Sequence, residues 1–395
     1  MEQAHIGRRV REIRASRGME QQVVAQLAGI TPAYLSMIER GLRPVNSRKL
    51  LESLARALRT SPEELTRRPE SPIDPAAEAA LAHVAAIEDV LNAWRVGETP
   101  DVEARPWRLV LAELDKLNLT LRPNADYDAE GGLLPTLIQD LLLGVNGAGQ
   151  RRQALIGLIA AYKAVAYFAH DLRVAGLPAL AVQRMQEAAE RLEDPVWLSY
   201  ANYQRAQLIS GRNRQRQYDL AVQVAQTPGA RTEVLGMAHL TAALAKAAQG
   251  DGDAARTHLD EATDLAERIE PDVSPWMQTN YGRVNVRIWK VSIGVELGAG
   301  AKVREVAAGL RLDGVSVSRQ AAFWTDLGRG LVTDRKHRDA GLSALLRAEQ
   351  LAPVKVRHNP FFRESVTTLL NAAMRDAGGP ALRGLARRIG VPPTG

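Results

Sequence analysis

Residues 20–48 read EQQVVAQLAGITPAYLSMIERGLRPVNSR, and the rest of the chain is arranged around how this stretch folds. Gln21 to Ala28 is apolar at Val24, Ala25 and Ala28, one face of a short helix. Gly29 stops that helix, because glycine enters the left-handed region without a steric cost. Thr31 is placed to cap a second helix, and Pro32 fits its first turn, where no N–H is needed. From that helix Leu35 and Ile38 face a core, leaving Ala33, Tyr34, Ser36, Met37 and Arg40 turned outward. Two helices joined by so short a turn, the second with an uncovered polar face, form a helix-turn-helix.

The flanking residues extend the pattern. An Ile6/Val10/Ile13 stripe precedes it, followed by Gly18, Gln21, Val24-Ala25, Gly29, Leu35, Ile38-Glu39-Arg40-Gly41 and Pro44. A final helix carries Leu50, Leu51, Leu54, Ala55 and Leu58. On these residues 6–65 resemble the phage-repressor and Cro type of DNA-binding domain, the XRE family. The segment Val45-Asn46-Ser47 departs from it by a residue or two of extra length. The resemblance implies that Gln21 binds a phosphate, as do Arg43, Asn46, Ser47 and Arg48. It puts Pro32, Ala33 and Met37 against base edges, with Thr31, Tyr34, Ser36 and Arg40 on the same face. Apolar side chains there favour thymine methyls and DNA shape over bidentate hydrogen bonds. Arg14 and Glu39 match a pair that joins the first and third helices. The plainer alternative is an amphipathic hairpin with a solvated face.

Charge agrees with a DNA reader. The chain carries a net +6, and residues 1–66 hold 11 Lys+Arg against 7 Asp+Glu, so most of the excess sits in the first sixth of its 395 residues. There is no cysteine, which removes disulfides and thiolate chemistry. The start, MEQAHIGRRVREIR, has no hydrophobic signal core. The most apolar long window, Ala154 to Leu172, contains Lys163, His170 and Asp171, so it reads as a buried helix. A cytoplasmic protein without membrane contact is expected.

Beyond residue 66 the sequence predicts an all-α chain, since no run alternates β-branched residues. Residues 67–75 (RRPESPIDP) form a proline-rich linker and 76–147 a helical connecting segment, with amphipathic stretches at 76–95 and 105–119 and a loop over about 122–132. Residues 148–395 read as an α-solenoid of degenerate helical hairpins. The last unit shows Trp324, Leu327-Gly328, Leu331, Ala340, Ala348 and Pro353, which resembles the tetratricopeptide (TPR) signature. Earlier units turn at Gly176 and Gly250, with looser ones at Gly211 and Gly298; the second helix after Gly250 is expected to run to Pro271. An α-bundle without repeat geometry is the alternative.

No catalytic spacing stands out. G-x-x-x-x-G-K-[ST], G-x-S-x-G and H-E-x-x-H are missing, and seven histidines are dispersed. No enzyme, metal or cofactor is expected. If the first helix of each hairpin lines the concave side, His170, Arg173, Arg205, Asn285 and Arg329 point inward, with Asn202 and Asn280 one face away. Such residues can hold a small ligand or peptide, since asparagine offers both a donor and an acceptor and arginine clamps a carboxylate. The head-plus-repeat order resembles the peptide-responsive quorum-sensing regulators of Gram-positive bacteria. This implies a homodimer on an inverted-repeat operator in double-stranded DNA, with the repeats sensing a peptide or small-molecule effector. The second reading is a DNA-anchored scaffold whose repeats hold a protein partner.

Overall fold

A computed structural model describes residues 6–66, 74–147, 149–209, 213–373 and 379–391, and no strand occurs among them. Most of the proline linker and the Gly211 turn lie outside the described residues. The head consists of α1 (Ile6–Ser16), α2 (Gln21–Ala28), α3 (Pro32–Glu39), α4 (Arg48–Ala57) and α5 (Pro62–Thr66). Gly29 ends α2 at φ 69°, and the Thr31 hydroxyl accepts the Tyr34 N–H at 3.2 Å to open α3. Val10, Val24, Ala25, Leu35, Ile38, Leu54 and Leu58 are buried together. The expected pair forms: Arg14 donates to both Glu39 oxygens, at 2.6 and 3.0 Å.

Helices α6 (Pro75–Ala82), α7 (Val84–Ala93) and α8 (Trp107–Lys116) fall in the amphipathic stretches. The loop after them is shorter than its polar sequence suggests. Helix α9 (Tyr127–Asn146) begins inside it, because Asp126 caps Ala129 and both Tyr127 and Glu130 turn into the protein.

Five hairpins follow in which consecutive helices pack on one another: α10 (Arg151–Asp171) with α11 (Leu177–Glu190), α12 (Pro195–Leu208) with α13 (Arg214–Ala225), and α14 (Thr232–Gln249) with α15 (Gly252–Ala266). The last two are α16 (Arg283–Glu296) with the short α17 (Val303–Ala307), and α18 (Val317–Leu331) with α19 (Arg338–Leu351). Helices α20 (Pro353–Arg357), α21 (Pro360–Ala373) and α22 (Pro380–Arg388) close the array. Small residues set the close approaches. A Cβ on Gly328 would lie 2.8 Å from Leu345. The partner small residue is Gly341, against Val332, and not Ala340, which faces solvent.

The third hairpin departs most from expectation. Its second helix stops at Ala266 and does not reach Pro271. Residues 267–282 turn back toward the inner helices, where Trp276 packs on Trp197 and Tyr200 at 5.8 and 5.1 Å between ring centroids. Gly236 makes room for Tyr281, whose ring would lie 1.9 Å from any Cβ there.

The head is not a free bead on a linker. Phe361 of α21 completes its core, and the buried Glu364 accepts the backbone N–H of Ile6 at 3.1 Å and of Val45 at 3.0 Å. Glu296 of α16 accepts the Arg48 backbone N–H at 2.6 Å and its guanidinium at 2.5 Å. Arg329 of α18 donates to Glu296 at 2.9 Å, to Asp326 at 2.6 Å and to the Asn46 carbonyl at 2.8 Å. Arg214 pairs with Glu52 at 2.9 Å. Burial alone would raise the carboxyls of Glu296 and Asp326, but Arg48 and Arg329 outweigh it and hold both below the usual range.

Removing a guanidinium from such a set strands buried carboxylates. Arg329→Met should therefore lower the stability of the full chain by about 3–5 kcal/mol, read as the midpoint of urea or thermal unfolding. A midpoint within error of the parent would mean the network is solvated in solution.

Candidate DNA-facing surface and inner chamber

The docking leaves one side of the head open. Thr31, Pro32, Ala33 and Arg40 are exposed, and Tyr34, Ser36 and Met37 are half-buried along the same side of α3, as the helix spacing requires. Arg43 is exposed just beyond it. Gln21 is differently engaged: its amide donates to Glu39 at 3.0 Å and so extends the Arg14–Glu39 pair.

Of the three remaining expected phosphate contacts, two bond to the body and one caps a helix of the head. Asn46 donates its side-chain amide to the Arg329 carbonyl at 3.0 Å, and Ser47 caps α4 through Leu50. Arg48 is held by Glu296 at both backbone and side chain. The Glu296 carboxylate thus lies at the N-terminus of α4, where unpaired N–H groups and the helix dipole favour an anion. The physical reason for the longer Val45-Asn46-Ser47 segment is visible here, since each of its residues bonds to the body or caps α4.

Residues 5–67 match a family model described as a helix-turn-helix domain, and no curated protein and no solved structure matches the chain. The head is therefore a helix-turn-helix DNA-binding domain of the XRE-like kind. Among the described residues no helix is long and apolar enough to cross a membrane.

The second site is a cavity of about 300 Å³ on the inner side of the hairpins. Its walls come from α10, α12, α14, α16 and α18, the first helix of each hairpin, and its far side from residues 278–280 of the inward segment. Of the residues expected in a groove, His170, Asn280 and Asn285 line it. The two asparagines are already engaged. Asn285 accepts from Arg319 Nε at 2.8 Å, while Asn280 accepts the Ser316 N–H at 3.2 Å and donates to the Gln278 carbonyl at 3.0 Å.

Four expected residues lie elsewhere. Arg173 sits in the left-handed turn after α10 at φ 63°, exposed and outside the chamber. Arg205 is exposed on α12, and Asn202 accepts from Gln186 at 3.0 Å. Arg329 is on the inner face of α18 but two turns past the cavity, in the network that holds the head. The register of the inner face was right for α16 and α18. What failed was the assumption that one face serves one site along its whole length.

The chamber's own ionic groups were missed by the sequence reading. Arg122, Lys163, Arg319 and Lys355 line it, with Glu130 and Asp171 as the carboxylates. Asp171 is engaged by Tyr127 at 2.8 Å, Lys355 at 2.9 Å and His170 at 3.2 Å. Against the effect of burial, Lys355 and His170 hold it well below the usual carboxylate range. Lys163 is buried, bonded to the Met277 carbonyl, and burial pushes its ammonium well below the ordinary value. The spacing 163, 167, 170 on α10 is one helical stripe and was available as a signal.

Burial pushes the Glu130 carboxyl up to about 8, with Arg122 3.8 Å away opposing it. Its ordinary value is 4.5, so between the two the native chain keeps a proton that the unfolded chain releases. Native stability is then lost as pH rises through that window. Glutamine does not titrate, so the unfolding midpoint of Glu130→Gln relative to the parent should climb steadily from pH 5 to pH 8. A difference that stays flat across this range would contradict the burial of an ionisable Glu130.

Proposed function

We propose that the protein is a sequence-specific transcriptional regulator that reads an inverted-repeat operator as a homodimer, with a TPR-like body that senses a small ligand and carries dimerisation. The observation that carries this reading is the split surface of the head. The base-facing side of α3 is open, while Asn46 and Arg48 are held by the body. In this arrangement the body competes with the DNA backbone for part of the head, Glu296 standing where a phosphate would bind.

The chamber supplies a route for control. Helix α16 contributes Asn285 and Trp289 to it and ends in Glu296; helix α18 contributes Arg319 and Ala322 and continues to Asp326 and Arg329. A ligand that fits one arrangement of these two helices better than another shifts the hold on the head by that difference in affinity. A cavity of this size suits a small molecule better than an extended peptide. The scaffold alternative has no comparable feature in its favour.

Selection from random DNA tests the head. Met37→Ala should change sequence preference, because Met37 projects from the open side of α3. Arg43→Ala should weaken binding to all sequences alike, since phosphates carry no sequence information directly. Unaltered affinity and preference in Met37→Ala would remove α3 as the reading helix.

The hold on the head has its own test. Glu296→Gln should lower thermal stability and yet raise operator affinity severalfold, because it frees Arg48 for the DNA backbone. Loss of both stability and affinity would show instead that the docked head is the DNA-binding form.

A further inference from the structure

Arg319 and Trp289 line the chamber, and each carries a buried hydrogen-bond donor without an acceptor. The terminal Nη2 of Arg319 and the indole Nε1 of Trp289 are both buried and unpartnered among the described residues. They belong to one unit: the Arg319 guanidinium lies 5.0 Å from the centroid of the Trp289 ring, with its Nε fixed by Asn285. A buried donor left unmade costs about 1–3 kcal/mol, more when charged, so an acceptor brought to this part of the wall is favoured.

The rest of the wall does not supply one. Asp171 already accepts from three other partners. Glu130 faces Arg122, not Arg319. Asn285 already spends its oxygen on Arg319 Nε, and the Gln204 oxygen accepts from Tyr167 at 3.1 Å. Arg122, Arg319 and Lys355 line the space as cations with the Asp171 carboxylate, while burial pushes Lys163 and Glu130 toward their uncharged forms. Burial pushes the Arg319 guanidinium down only to about 10, which leaves it charged at neutral pH.

We propose that the chamber binds a small organic oxyanion, a carboxylate or a phosphate ester, clamped by Arg319 and hydrogen-bonded by the Trp289 indole. This rests on the reading of the chamber as an effector site and names the effector's chemistry. Planar guanidinium nitrogens match the two oxygens of such a group, and the Trp289 face beneath keeps the fork in one plane. Arg122 and Lys355 add positive charge to the same wall, and the volume limits the uncharged part of an occupant.

The test uses the full chain and three probes: inorganic phosphate, acetate and citrate, each against chloride at matched ionic strength. Calorimetric titration and the unfolding midpoint are the readouts. At least one oxyanion should bind and raise the midpoint where chloride does not, and phosphate against acetate and citrate separates the two chemistries. Arg319→Gln should lose about tenfold or more in affinity, the scale of one charge-assisted hydrogen bond. Arg319→Lys should lose less, and Arg205→Gln, outside the chamber, nothing.

Oxyanions indistinguishable from chloride, or an Arg319→Gln protein that titrates like the parent, would overturn the proposal. Operator affinity measured with and without the bound oxyanion separates this from the regulatory reading. Binding without any change in DNA affinity keeps the anion site and removes the sensor. A neutral cell-extract fraction that shifts DNA affinity while all three oxyanions fail does the reverse.

Discussion

The arrangement of this molecule depends on four buried or half-buried charges meeting in one place. Glu296 and Asp326 come from the body's inner helices, Arg329 from the same body, and Arg48 from the head. Two carboxylates against two guanidinium groups is a balanced set, and balance is what makes burial tolerable, because a desolvated charge without a partner costs several kcal/mol. The set adds little net stability over an apolar contact of the same shape. Its value is directional, since Arg48 and Arg329 must both reach Glu296 and only one orientation of α4 allows it. Phe361, stacked 4.3 Å from the Arg329 guanidinium and buried in the head core, supplies the apolar part of the same contact.

From that contact two polar stripes run back along the inner helices. On α16 the stripe is Asn285, Trp289, Ser292 and Glu296; on α18 it is Arg319, Ala322, Asp326 and Arg329, both at helical spacing. They touch in the middle, where Ser292 donates to Asp326 at 2.5 Å. One end of the pair lines the chamber and the other holds the head. Packed helices resist bending more than they resist small shifts along or about their axes, so a change at Arg319 is carried to Arg329 through a single rigid element. The distance is ten residues of helix, about 15 Å.

Much of this was legible in the sequence and the rest failed for identifiable reasons. The head was readable because its signals are local: Gly29 must be left-handed, Thr31 must cap, and Leu35 and Ile38 must share a face. The hairpins were readable where a small residue marks close packing, at Gly328, and where a glycine must turn left-handed, at Gly250. The inward segment 267–282 was not, because its acidic, helix-like start continues the pattern of α15 and nothing local predicts that Trp276 and Tyr281 turn toward other helices. The docking of the head was invisible for a similar reason. Glu296, Arg329 and Glu364 lie hundreds of residues from Arg48, Asn46 and Val45, and a buried glutamate reads in sequence like any solvated one.

The inward segment also determines what kind of cavity the body has. An open solenoid of five hairpins would present a groove along its inner face, suited to a chain lying across several units. Here Met277 and Gln278, in left-handed conformations at φ 44° and 51°, reach across that face, and the Met277 carbonyl meets Lys163 while Gln278 bonds to Asn118. Non-glycine residues adopt such angles only where the surroundings impose them, at a cost of order 1–3 kcal/mol each. The ring contacts of Trp276 and the buried Tyr281 are large enough to offset it. What the segment gains by crossing is a wall on one side of Arg319 and Trp289. Fully solvated, those donors would be satisfied by water; buried, they gain more from an acceptor placed beside them.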